Sequence, residues 1–126
     1  MLGGGDFSAV AQSMYETRLL VFDQKSQKYE CTPKADMKVP RHGHSGCSFG
    51  SNFIVVSGSR KEFEGSARKC ELYDCKKNVW SDLAQMNFGR HYHASCEFNN
   101  EFVYVFCGIS NQSKKYTTSI ERLNVK

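Results

Sequence analysis

The residues of this 126-residue chain best equipped for chemistry fall in two copies of one pattern, Arg41-His42-Gly43-His44-Ser45-Gly46-Cys47 and Arg90-His91-Tyr92-His93-Ala94-Ser95-Cys96. All four histidines of the sequence lie in it. On an extended chain two histidines two residues apart point the same way, and a thiol three further on could join them around zinc. The pattern lacks a paired-thiol spacing of known type, and a histidine entering an inner strand beside a small packed cysteine accounts for the same residues. No metal ligand and no cofactor is therefore assigned. Cys70 and Cys75, flanking a short apolar run, are weaker candidates still.

Catalysis finds less support than metal binding. No serine sits in a nucleophile elbow, no glycine-rich phosphate loop precedes a helix, and no acidic pair stands apart from ordinary surface charge. Cys47 beside His44 is a conceivable nucleophile, but a buried thiol is inert. No catalytic residue is assigned, and the chain is expected not to be an enzyme.

The two copies are part of a repeat that runs through the whole sequence. Asp74 stands six residues before Trp80, the single tryptophan, as Asp23 stands six before Tyr29. Met86 and Arg90 match Met37 and Arg41, and Phe98 and Phe102 match Phe49 and Phe53. From Asp23 to Asp74 is 51 positions and from Asp74 to Asn124 is 50. A period near ~50 residues is that of one family of propeller blades.

Short apolar runs of strand length recur inside each unit. Leu19 to Phe22, Phe53 to Val56, Cys70 to Tyr73, Val79 to Leu83, Ala94 to Phe98, Phe102 to Phe106 and Ser119 to Leu123 read as strands, and Gln27 to Cys31 as a short outer one. Gly58 and Gly108 end the second strand of their units, and Gly3-Gly4-Gly5-Asp6 reads as a strand end and its turn. The small residues Ser45, Gly46 and Ser48 suit an innermost strand in a crowded place. Phe7 to Glu16 and Thr32 to Val39 read as loops. No segment shows the three-to-four spacing of an amphipathic helix.

Composition narrows the class. The net charge of +4 is diffuse, with Lys76-Lys77 and Lys114-Lys115 the only adjacent lysine pairs, which speaks against nucleic acid. No apolar run is long enough for a bilayer-spanning helix. No leader-like start is visible, so the six cysteines are expected to be reduced thiols in the cytoplasm, and Asn111-Gln112-Ser113 an accidental glycosylation pattern.

The landmarks Tyr73-Asp74, Trp80, Met86, Arg90 and His93 resemble the kelch repeat, with Tyr29 at the tryptophan position of the first unit and Leu20 where glutamate would stand. The resemblance implies an all-β fold of four-stranded antiparallel blades forming an incomplete β-propeller or propeller fragment. It places a partial first blade over 1–43, a complete blade over 44–83 and a second blade lacking its outer strand over 84–126. The repeat landmarks are Asp23, Tyr29, His44, Gly58, Tyr73, Asp74, Trp80, His93 and Gly108. Trp80 and Tyr29 should fill the space between blades, and Arg41 and Arg90 should tie loop carbonyls together. Two repeats and a fraction leave apolar faces open, so the remaining blades or self-association are expected to close the ring.

In that family the loops between the second and third strands, and those entering the next blade, form a partner-binding face. Here they hold Arg60, Lys61, Glu62 and Phe63, residues 109–116, and the turns Arg41-His42 and Arg90-His91-Tyr92. The expected function is a protein-protein interaction module, as substrate receptor or scaffold, whose Arg41, His42, Arg60, Arg90, His91 and Tyr92 receive an acidic peptide segment of a protein partner. The alternative is part of a propeller enzyme of the oxidase or sugar-acid epimerase kind, or a metal-binding propeller.

Overall fold

The computed structural model describes residues 15–61 and 65–126, and the expectations for Gly3 to Asp6, Glu62 and Phe63 lie outside them. Four antiparallel sheets account for the described chain. Strands β1 (Thr17–Asp23) and β2 (Lys28–Lys34) form a hairpin. Strands β3 (Ser45–Phe49), β4 (Phe53–Ser57), β5 (Cys70–Asp74) and β6 (Val79–Leu83) form a four-stranded meander in sequence order. After the two-residue strand β7 (Arg90–His91) come β8 (Ala94–Phe98), β9 (Phe102–Phe106), the short β10 (Ile109–Ser110) and β11 (Ile120–Asn124). β8, β9 and β11 make a three-stranded sheet, while β7 pairs with β10 across two loops. The described residues contain no α-helix.

The repeated polar landmarks are explained by the hairpin turns. Asp74 Oδ1 accepts hydrogen bonds from the backbone N–H groups of Lys76 and Lys77 at 2.9 and 3.0 Å. Asp23 does the same for Lys25, and Asn124 for Lys126, each at 3.0 Å. A short side-chain acceptor that reaches its own backbone two residues on is what initiates such a turn. The turns close with Gln27 and Asn78, both at φ 56°. β2 extends past the expected loop boundary at Thr32 to include Pro33. It lies on the edge of a two-stranded sheet, where a missing backbone donor costs little.

Neighbouring sheets bury their faces against each other. Met37, Val56, Tyr73 and Trp80, with Ala35 and Ile54 against them, form the core between the segment that follows the hairpin and the four-stranded sheet. Phe49, Val55 and Val103, with Cys70, Met86 and Val105 nearby, form the core between the four- and three-stranded sheets. The innermost strands β3 and β8 run side by side, and their small side chains allow the Oγ atoms of Ser45 and Ser95 to meet at 2.6 Å.

Two expectations about packing require correction. Tyr29 is 68% exposed, although it stacks beside Phe22 with ring centroids 5.0 Å apart as Trp80 stacks beside Tyr73 at 4.9 Å. The position is equivalent, but no described sheet lies over that face of the hairpin. Cys47 is half-buried and packs against the Phe49, Val55 and Val103 core, but its counterpart Cys96 is exposed, so only one copy of the repeated cysteine is a packing residue. Cys96 shares the uncovered face of the third sheet with Phe98 and Tyr104.

Candidate functional site

The turn that enters each inner strand is built around a buried arginine. Arg41 donates from Nε and Nη2 to Glu71 at 3.0 and 2.8 Å, and from Nη1 to the carbonyls of Gly58 and Lys69 at 3.0 and 2.9 Å. Arg90 repeats the arrangement: Nη2 donates to Glu121 at 2.8 Å, and Nη1 to the carbonyls of Cys107 and Ser119 at 3.1 and 2.8 Å. Each glutamate also accepts from the turn itself, Glu71 from Lys38 N–H and Glu121 from the N–H groups of Asn87 and Phe88. Both arginines are 0% exposed, so neither can touch a partner, and they leave the set of contact residues expected from sequence. Instead, the guanidinium of Arg41 is held by carbonyls and one carboxylate, and the Nη groups of Arg90 by carbonyls, the Ser119 hydroxyl and one carboxylate. The glutamate position of the repeat was legible at Glu71, three residues before Asp74, but Glu121, three before Asn124, was not singled out, and the pairing of either with an arginine carried no local signal.

The histidines diverge. Gly43 and Tyr92, the residues between the paired histidines, have φ of 67° and 52°, so the chain is not extended there and the rings do not line up as ligands. His93 is buried with Nε2 2.8 Å from Ser57 Oγ, and its Nδ1 has no partner among the described residues. Burial pushes its pKa down to about 4, with Arg90 and His44 adding repulsion. His44 is likewise held near 4 by burial and by the Arg41 charge. Both are neutral packing residues. His93 leans on Gly58 and Gly108, where a Cβ would collide with its ring or backbone and with the carbonyls of Arg90 and His91. Those glycines, at φ 75° and 86°, allow the turn after the second strand to meet the next inner strand.

His42 and His91 face the loops. His91 is buried with Nδ1 2.9 Å from Asn111 Oδ1, and it too drops out of the partner-contact set. His42 is half-buried, its pKa lowered by burial and by Lys61 and Arg60. No group of three or more His, Cys, Asp or Glu among the described residues is placed to hold a metal ion.

Asn111, missed from sequence, joins this region together. Its Nδ2 donates to the carbonyls of Ser59 and Arg60 at 2.9 and 3.2 Å, and its backbone N–H to Gly89. Arg60 N–H donates to the His42 carbonyl at 2.8 Å, and Tyr92 N–H to that of Gly43 at 2.7 Å. The loops of two neighbouring sheets thereby form one surface presenting His42, Arg60, Lys61 and Tyr92, the last 56% exposed. The hairpin 109–116 continues it with Lys114, Lys115 and Tyr116. Residues 40–44, 84–93 and 107–119 contain no carboxylate, whereas the loop that carries Arg60 and Lys61 also has Glu62 and Glu64 in its sequence.

Stacked antiparallel sheets with inner strands side by side and a buried arginine at each entry turn define a partial β-propeller. Residues 40–87 match the family model described as Kelch motif. The solved structure of YjhT, a kelch-type propeller protein, superposes with a TM-score of 0.64 and 18% identity over 87% of this chain. That match covers 34% of YjhT, so this chain spans about one third of its length. The chain is a partial β-propeller that carries a kelch motif over residues 40–87.

Proposed function

We propose that this chain is a protein-protein interaction module, serving as substrate receptor or scaffold in the cytoplasm, with no catalytic turnover. The loop surface around His42, Arg60, Lys61 and Tyr92 is its docking face, and an acidic peptide segment is its ligand. The observation that carries this reading is the joining of the loops through Asn111, because side chains on a pre-ordered backbone bind without the cost of ordering it. Exposed guanidinium and ammonium groups supply charge-assisted hydrogen bonds, and Tyr92 an aromatic contact.

Titration of a fluorescent Glu-rich peptide followed by anisotropy tests the reading. Binding should weaken by at least about tenfold in the Arg60→Glu, Lys61→Glu double variant and should fall with added salt. Absence of saturable binding, or equal binding by the charge-reversed variant, would overturn it.

A further inference from the structure

Between the turn that enters β8 and the hairpin 109–116 lies a cavity of about 250 Å³. Its walls come from Phe88 and Arg90 on one side and from Ser110, Ser113, Tyr116 and Ser119 on the other. Both walls belong to one repeat, tied by the pairing of β7 with β10 and by the Asn111 N–H, which donates to the Gly89 carbonyl at 3.0 Å. No residue of β8, β9 or β11 lines the cavity.

The polar lining is biased towards donors. Ser119 Oγ accepts from Arg90 Nη2 at 2.8 Å and from the Thr117 hydroxyl at 3.1 Å, so both of its lone pairs are used and only its own O–H is left. The guanidinium behind it polarises that hydroxyl further as a donor. Ser110 Oγ accepts from the Ser113 N–H at 3.2 Å, and Ser113 Oγ from the Lys115 N–H at 3.3 Å. None of these three O–H groups meets an acceptor among the described residues. Lys114 and Lys115 stand exposed on the same hairpin, and residues 84–93 and 107–119 hold no carboxylate. The Arg90 charge is balanced by Glu121, so the positive field comes from the two lysines. Phe88 and Tyr116 are exposed, and neither stacks on another ring among the described residues.

We propose that this cavity receives the phosphotyrosine side chain of a partner protein. Three O–H donors match the three terminal oxygens of a phosphomonoester, and the lysines offset its charge. The cavity holds the phosphate, while the aryl ring that carries it lies at the mouth against Phe88 and Tyr116. A carboxylate offers fewer oxygens and less charge, and a phosphoserine offers no ring. The site is separate from the surface around His42, Arg60 and Lys61, and its test does not depend on the ligand of that surface.

Phenyl phosphate, inorganic phosphate and benzoate, titrated into the full chain and followed by backbone amide shifts, test the proposal. Phenyl phosphate should saturate, with shifts at Gly89, Arg90 and residues 110–119, and bind at least about fivefold tighter than either other ion. Ser113→Asp, which puts a carboxylate into the cavity, should abolish the shifts, whereas Ser113→Thr, which keeps a hydroxyl, should retain them. Ser113 is exposed, so neither substitution touches the core. The Arg60→Glu, Lys61→Glu double variant should bind phenyl phosphate within about twofold of the parent chain. A phosphotyrosine peptide should bind at least about tenfold tighter than its phosphoserine counterpart. No saturation by phenyl phosphate up to about 10 mM, shifts elsewhere, equal binding of benzoate or of the phosphoserine peptide, or undiminished binding by the Ser113→Asp variant would overturn the proposal.

Discussion

At the junction between the hairpin and the four-stranded sheet, Trp80 is 7% exposed and bridges to the Ala35 carbonyl, while Arg41 and Glu71 form an ion pair with 0% and 1% of their side chains exposed. At the junction between the four- and three-stranded sheets no tryptophan is present among the described residues, the equivalent neighbours line a cavity of about 60 Å³, and Glu121 opposite Arg90 is 12% exposed. Arg90 Nε lacks a partner among the described residues, whereas Arg41 Nε is bonded to Glu71. The same residue types at the same spacing thus give a place filled by Trp80 at one junction and a small cavity at the other, although the first junction has a groove of its own, about 200 Å³, lined by Thr17, Leu19, Lys34, Ile54 and Tyr73. The difference lies in the strand beside the third one: β6 pairs with β5 and brings Trp80 with it, whereas among the described residues β11 pairs with β9 alone.

The largest separation between the junctions is expected from truncating their aromatic and apolar fillers. Trp80→Ala should destabilise the fold by about 3–5 kcal/mol, through lost burial and the residual cavity, whereas Leu123→Ala, beside a cavity and half-exposed, should cost about 1 kcal/mol. Urea denaturation midpoints measure both, and equal losses would mean that the first junction is no tighter than the second.

The ion pairs come next. Glu71→Gln leaves the Arg41 guanidinium enclosed without a countercharge and should cost about 3 kcal/mol. Glu121→Gln should cost about 1 kcal/mol, since water reaches that carboxylate. Denaturation of the two variants in parallel would refute the contrast between the junctions if the order reversed.

The effect that separates the junctions least is one that both share. His44 and His93 bind a proton only near pH 4 when folded but near pH 6.5 when unfolded. The unfolded chain therefore takes up more protons between those values. The stability owed to the neutral rings is complete above pH 6.5, declines as pH falls towards 4, and is gone below it. A pH series of denaturation midpoints should show this slope, and His93→Gln should flatten it without abolishing it, because His44 remains.

Much of the fold was legible because its signals are local. β-branched runs bounded by glycine marked β4 and β9, and Asp23, Asp74 and Asn124 marked turns whose hydrogen bonds span two residues. The candidate site was less legible. That Arg41 and Arg90 tie loop carbonyls together was legible, but their full enclosure, and the burial of His91, was not, because only the packing of loops from neighbouring sheets buries them. Asn111 carried no signal, since its partners Ser59 and Arg60 lie 52 and 51 positions away.

The amino-acid order by itself determined the repeat, its strands and its turns, since each depends on side chains within a few residues along one chain. Which copy of a repeated residue is covered was decided only by the stacking of sheets. Tyr29 and Trp80 occupy equivalent places, yet one stands in solvent and the other in a core, because burial depends on what lies across the gap.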